Sequence, residues 1–212
     1  MIGDLQKMTG HENIRAIIWD LGGVILRTED LSHREQWEKR FGFEAWGLAN
    51  LVFRSEISQL ASIGKANVDD IWTNVQEKLG LENEAVQQLR IDFFAGDRLD
   101  EKLLTFIRQL KSTHKTGMIT NAWPDIRHWI ENKWKIADAF NHILISAEVG
   151  LVKPDPAIYE LSLKALDVKP DETIFIDDFE ENISGAKAVG MHTIHFQDPE
   201  EVIVQLKKIL QI

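Results

Sequence analysis

Short apolar runs alternate with amphipathic, helix-period stretches along most of this chain, and few folds accommodate that alternation. The runs are IRAIIW (14–19), KTGMI (115–119), HILIS (142–146), TIFID (173–177) and HTIHF (192–196). Runs this short and this continuously apolar suit strands covered on both faces, and the stretches between them suit the covering helices. The expected fold class is therefore α/β, with a Rossmann-like doubly wound parallel sheet. Leu103, Ile107 and Leu110 define one helical stripe, and Ile158, Leu161 and Ala165 another. Val202, Leu206, Ile209 and Leu210 mark a C-terminal helix behind the start signal Asp198-Pro199-Glu200-Glu201.

Residues 30–98 break the pattern. They contain no convincing strand and read as several helices separated by glycines at 42, 47, 64 and 80, with stripes at Ile71, Val75, Leu79 and at Val86, Leu89, Phe93. A small helical domain inserted after the first strand is expected. The domain reading is thus 14–29 and 99–212 for the sheet domain, 30–98 for the insert and 1–13 for an N-terminal arm.

Composition narrows the chemistry. A chain of 212 residues, 44% of them hydrophobic, is long enough for one core and a smaller companion. Without cysteine it has no disulfide, no thiolate nucleophile and no thiolate metal site. Its N-terminus is polar, and no segment approaches ~18 consecutive apolar residues, so a cytoplasmic protein away from the membrane is expected. Thirty-four acids against twenty-four Lys and Arg give a net charge of −10, which disfavours nucleic acid and anionic membranes as partners. An anionic ligand would need local cations or a metal to offset that field.

In a doubly wound sheet, reactive groups gather at the carboxyl ends of strands, beside the change in strand order. In IIWDLGGVIL (17–26) an apolar run stops on Asp20 and is followed by Gly22-Gly23. The run GMI ends in Thr120-Asn121, and TIFI ends in Asp177-Asp178. Between them, GLVKPDPAIY presents Lys153 in a loop bounded by glycine and proline. Taken singly, Asp20 is an ordinary strand-to-turn cap, Asp177-Asp178 a helix N-cap and Lys153 a solvated loop lysine. Together they put an aspartate, a hydroxyl, a lysine and a carboxylate pair at one sheet edge.

The order of these segments resembles the haloacid dehalogenase superfamily over residues 14–212. IIWDLGGVI is similar to its first motif, MITN to its threonine or serine motif, VGLVKPDPAIY to its lysine motif and IFIDDFEENISGAKAVGM to its paired-acid motif. The helical insert sits where subfamily IA places a type C1 cap. The branch it most resembles includes sugar-phosphate phosphatases and the N-terminal phosphatase domain of epoxide hydrolases. The resemblance implies a Mg²⁺-dependent phosphatase acting on a small phosphorylated metabolite such as a sugar phosphate. Asp20 would attack phosphorus and form an aspartyl-phosphate. Asp20, the Gly22 carbonyl, Asp177 and Asp178 would make the metal site, Asp177 acting through water or by orienting Lys153. Thr120, Asn121 and Lys153 would hold the phosphate. A cation is required because a phosphate meeting a carboxylate at 4 Å is repelled by roughly 4 kcal/mol per unit-charge pair at moderate dielectric.

One departure from the resemblance stands out: most phosphatases of this family carry a second aspartate two residues beyond the nucleophile, and this chain has Gly22 there. Positioned acid–base catalysis contributes ~10²–10⁴-fold, so the loss favours substrates with weakly basic leaving oxygens. His33, early in the insert, is a candidate replacement. Two alternatives are a metal-free dehalogenase, against which the paired acids argue, and a non-catalytic phosphate-ligand binder. Among the seven tryptophans, Trp37, Trp72 and Trp129 fall at helix-face spacing and are expected to pack, while Trp123 is a candidate for the pocket border. The histidines show no ligand spacing.

Overall fold

The computed structural model describes residues 13–212; the arm expected over residues 1–13 lies, apart from Asn13, outside the described residues. In chain order the strands are β1 (Ala16–Trp19), β2 (Leu26–Thr28), β3 (Asp97–Leu99), β4 (Lys115–Thr120), β5 (His142–Ile145), β6 (Thr173–Asp177) and β7 (His192–His195). Five of them form a parallel sheet in the order β5-β4-β1-β6-β7. The chain winds outward from β1 through β4 to β5, then returns to the other side of β1 for β6 and β7. The strand order therefore reverses at β1, which opens a crevice at the carboxyl ends of β1, β4 and β6.

The helices are α1 (Ser32–Phe41), α2 (Gly47–Arg54), α3 (Glu56–Ser62), α4 (Val68–Leu79), α5 (Asn83–Phe94), α6 (Glu101–Leu110), α7 (Ile126–His128), α8 (Ser146–Val149), α9 (Pro156–Leu166), α10 (Glu180–Val189) and α11 (Pro199–Leu210). All four residues of β1 are buried, as a central strand covered on both faces requires. Its side chains alternate between two apolar layers. Ile17 and Trp19 join Met118, Ile174 and Ile176 beneath α6 and α11, while Ala16 and Ile18 join Ile119 and Phe175 beneath α9 and α10. The stripes Leu103, Ile107, Leu110 and Val202, Leu206, Ile209 are buried as their periodicity indicated. The Asp198 carboxylate accepts from the backbone N–H groups of Glu200 and Glu201 at 2.8 and 3.1 Å and starts α11.

The face of α9 differs from expectation. Leu161 is 37% exposed and Ala165 is exposed, and the buried set is Ile158, Tyr159, Ser162, Leu163 and Leu166. Apolar residues lie on more than one side of this helix, so period alone does not choose its inner face. Tyr159 decides it, because its ring meets Phe175 edge-on at 5.3 Å and its hydroxyl donates to the Asn182 carbonyl at 2.8 Å.

Helices α1 to α5 occupy Ser32–Phe94 and enclose their own apolar cluster of Trp37, Leu48, Val52, Val68, Trp72, Val75, Val86, Leu89 and Phe93. Gly42 and Gly80 cap α1 and α4, and Asn67 with Asp70 forms a capping box on α4. The 30–98 stretch is not strand-free as expected. It ends in β3, which pairs antiparallel with β2, so this helical segment leaves and rejoins the sheet through one two-stranded ribbon. Three residues reading DRL are too few and too polar to register as a strand. Among the described residues, no helix is long and apolar enough to cross a membrane.

Candidate active site

The carboxyl ends of β1, β4 and β6 carry Asp20, Thr120 and the pair Asp177-Asp178. Asp20 directly follows β1, and its backbone N–H still donates to the Ile176 carbonyl at 2.9 Å, so its position is tied to β6. Lys153 arrives from the loop between α8 and α9 and is 4% exposed. Its ammonium lies 2.8 Å from Oδ1 of Asp20 and 2.6 Å from Oδ2 of Asp177. One ligand oxygen from each of Asp20, Asp177 and Asp178 falls within 4.8 Å of the others. Asp20, Lys153, Asp177 and Asp178, chosen from segments far apart in sequence, thus meet at one point.

The two adjacent aspartates have different surroundings. Both oxygens of Asp177 are engaged, by Lys153, by the Phe179 N–H at 2.8 Å and by the Asn182 carboxamide at 3.0 and 3.1 Å. Asp178 has a buried Oδ1 with no hydrogen-bond partner among the described residues. A buried carboxylate oxygen left unpaired is costly unless something positive meets it. Three carboxylates against one ammonium leave two uncompensated negative charges. Burial pushes the Asp20 carboxyl up to about 7, with Lys153 opposing the shift and Asp177 adding to it. Burial, then Asp177, pushes Asp178 up to about 6. Burial also disfavours the Lys153 ammonium, but Asp20 and Asp177 outweigh it and hold its pKa above the ordinary lysine value. A divalent cation with a preference for hard oxygen ligands fits these donors in charge, in atom type and in the unpaired Asp178 oxygen.

Asn121 does something the sequence reading did not anticipate. Its carboxamide clasps the Lys153 backbone, Nδ2 donating to the carbonyl at 2.9 Å and Oδ1 accepting from the N–H at 2.8 Å. Its side chain thus fixes the lysine loop next to the residues expected to hold phosphate. Thr120, at the end of β4, is 3% exposed, and its hydroxyl makes no hydrogen bond among the described residues. At Gly22 a Cβ would meet no atom within 4 Å, so the lack of an acid there is not imposed by crowding. His33 interacts with Asp30, whereas the charged groups acting most strongly on Asp20 are Lys153, Asp177 and Asp178.

Several supporting residues escaped the sequence reading. Asn182 holds Asp177, and Tyr159 in turn holds the Asn182 carbonyl. His195 donates from Nε2 to the Asp178 carbonyl at 2.9 Å. Gly185 lets α10 approach the lysine loop, since a Cβ there would stand 2.8 Å from Pro154. Gly23 has φ of 79°, and a Cβ on it would overlap the Asp178 carboxylate. Of these, Asn182 carried the best signal, an amide one helical turn beyond the acid pair. Trp37 and Trp72 pack as expected, but Trp129 is 42% exposed and leans on Trp134 at 5.6 Å.

A parallel sheet with its strand switch at an aspartate, an ammonium bridging two carboxylates and an acid pair at the neighbouring strand end define an α/β protein with a charged site able to take a cation and an anion. A sequence profile of the haloacid dehalogenase-like hydrolases matches residues 14–190, and the chain belongs to that family. The sesquiterpene phosphatase astK of Aspergillus oryzae is 28% identical over 197 residues, 92% of this chain and 96% of that protein. D-ribitol-5-phosphate phosphatase of Bacteroides thetaiotaomicron is 25% identical over 206 residues, 93% of this chain and 98% of that one. A crystal structure of a haloacid dehalogenase family enzyme from Bacteroides thetaiotaomicron, in complex with magnesium and inorganic phosphate, has a similar fold. Its TM-score is 0.72 at 20% identity, covering 89% of this chain and 98% of that one.

Proposed function

We propose that this chain is a Mg²⁺-dependent phosphatase of small organic monophosphates. The observation that carries the reading is the buried Asp178 oxygen without a partner, beside an ammonium shared by Asp20 and Asp177. That arrangement is short of positive charge in a way that suits a cation and a phosphate together, and it favours phosphoryl transfer over metal-free displacement of halide. When bound, a magnesium ion held by Asp20, the Gly22 carbonyl and Asp178 supplies the charge that lets a phosphate enter among carboxylates.

The chain's own residues do the rest. The free oxygen of Asp20 attacks phosphorus, forming an Asp20 oxygen–phosphorus bond as the ester oxygen–phosphorus bond breaks and the alcohol departs. Lys153 offsets negative charge on the transferring group, and Asp177 keeps the ammonium in place between the two carboxylates. The Thr120 hydroxyl donates to a phosphate oxygen. Water then attacks phosphorus, releasing inorganic phosphate and restoring the Asp20 carboxylate. The leaving oxygen receives no proton from position 22, so the alcohol must depart as a weak base or be protonated by solvent. The helical segment 30–98 covers the crevice as a cap, with the β2-β3 ribbon as its attachment.

The test is release of inorganic phosphate from a panel of monophosphates with and without Mg²⁺, alongside Asp20→Asn. Turnover that needs Mg²⁺ and is lost in a folded Asp20→Asn protein is the expected result. Phosphate release that persists in Asp20→Asn, or none from any ester, would overturn the proposal.

A further inference from the structure

The two named phosphatases act on unlike alcohols, a sesquiterpene and a five-carbon polyol phosphate, so their names leave the organic half of this chain's substrate open. A cluster of rings beside the site bears on it. Trp123 follows Thr120 by three residues, which puts their Cα atoms at most about 11 Å apart. Its indole stacks on Phe53, at the end of α2, with centroids 5.4 Å apart, and meets Phe94, the last residue of α5, edge-on at 6.5 Å. Phe53 and Phe94 are themselves 6.4 Å apart, so the three rings close a triangle that joins the β4 loop to the helical segment.

Rings that serve only to pack should be buried, and these are not. Phe53 is 45% exposed and Phe94 37%, while the neighbouring Phe93 is fully buried. The one polar atom of the indole is turned inward. Trp123 Nε1 donates at 3.1 Å to Oγ of Ser58, a fully buried residue whose hydroxyl in turn donates to the Phe53 carbonyl. The surface left open is therefore hydrocarbon, with no hydrogen-bonding group from these three side chains to recognise a polyol. A sugar hydroxyl set against it would lose water and find no partner.

We propose that Phe53, Phe94 and Trp123 form a specificity wall that receives the apolar part of the substrate, so the favoured class is monophosphates of hydrophobic alcohols. This rests on the phosphatase reading for the reaction but not for the binding. The phosphate end is held at Thr120 and Lys153, and the hydrocarbon lies across the rings on the helical segment. Trp123, the one ring contributed by the sheet side, lies three residues beyond Thr120 and so links the wall to the phosphate site.

The experiment is calorimetric binding of a homologous series of alkylphosphonates, from methyl to decyl, to the full chain in Mg²⁺. Affinity should rise about fourfold per methylene until the rings are covered. In Phe53→Ala and Phe94→Ala, both changes at partly exposed positions, the increment per methylene should fall, and Phe53→Leu should restore part of it. Circular dichroism establishes that each variant is folded. A flat series in the wild type, or a slope unchanged in both alanine variants, overturns the wall. So does a wild-type dimer held through Phe53, because the rings would then be covered by a second copy. Retained slope with no hydrolysis of the matching alkyl phosphates would overturn the phosphatase reading and leave the wall standing.

Discussion

The Asp178 carboxylate occupies the space a side chain on Gly23 would fill: a Cβ there would overlap all three of its terminal atoms, the farthest, Oδ1, at 2.8 Å. Gly23 also holds φ at 79°, where an L side chain adds strain. The pair makes the glycine a support for the Asp178 carboxylate, a ligand in the proposed metal site. Gly23→Ala should weaken the response to Mg²⁺ by ~10–100-fold, as loss of a ligand's support commonly does. The measurement is the Mg²⁺ concentration at half-maximal thermal stabilisation. Gly22→Ala, in open space, is the comparison; a Gly23→Ala protein with the wild-type Mg²⁺ response would show that Asp178 is not held from this side.

Among the described residues Lys153 is the only ammonium touching Asp20 and Asp177, and all three side chains are nearly or fully buried. Replacing it by Met leaves two buried carboxylates facing each other. Removing one partner of a buried pair costs ~3–5 kcal/mol, or roughly 6–20 °C in Tm for a chain of this size. The loss should be largest at alkaline pH and smaller on acidification, since a proton on Asp20, whose carboxyl burial already pushes up to about 7, replaces part of the missing charge. Thermal melts of Lys153→Met from pH 5 to 8.5 read this directly. A pH-independent loss would mean that packing of the lysine stem, rather than its charge, is what matters.

The sheet was legible because each central strand is apolar on both faces, and the site was legible because Asp20 and Asp177-Asp178 interrupt those runs at their carboxyl ends. A charge at the end of a buried run has few places to go. What periodicity could not supply was anything decided by contacts between distant segments. The Asn121 carboxamide clasps the Lys153 backbone, thirty-two residues on, a contact no local pattern announces. The apolar residues of α9 offer more than one face, and Tyr159 selects one by reaching the Asn182 carbonyl. The Trp123 indole was a candidate for the pocket border from its place after Thr120, but its partners on α2 and α5 lie in helices whose packing only the fold reveals.

A metal bound at Asp20 and Asp178 would compete with protons for the same oxygens. The folded state holds Asp20 up to about 7 and Asp178 up to about 6, against 3.8 for an ordinary aspartate. Between about pH 4 and 7 the native protein therefore binds more protons than the unfolded chain, so without metal its stability falls as pH rises through that window. Mg²⁺ should reverse the trend, since it binds the ionised carboxylates that cost the apo protein most. The expected result is a small gain in Tm from Mg²⁺ at pH 5 and a larger one at pH 7.5. Differential scanning calorimetry at both pH values, with Mg²⁺ and with chelator, measures it; an equal gain at both would remove the carboxylates from the metal site.

On the proposed reaction, position 22 should set how the rate depends on the leaving group. A Cβ fits there without contact, so Gly22→Asp places a carboxyl two residues from Asp20 at little steric cost. An alkyl phosphate expels a strongly basic oxygen and gains from a positioned proton, whereas p-nitrophenyl phosphate expels one that is already weakly basic. Gly22→Asp should therefore raise kcat for a simple alkyl phosphate by ~10²-fold or more, and for p-nitrophenyl phosphate by much less. The ratio of the two rates is the measurement, because changes in folding or metal occupancy affect both substrates alike and cancel. Equal acceleration of both would place the barrier elsewhere, in the attack by Asp20 or in hydrolysis of the phosphorylated aspartate, and position 22 would then have no part in choosing the substrate.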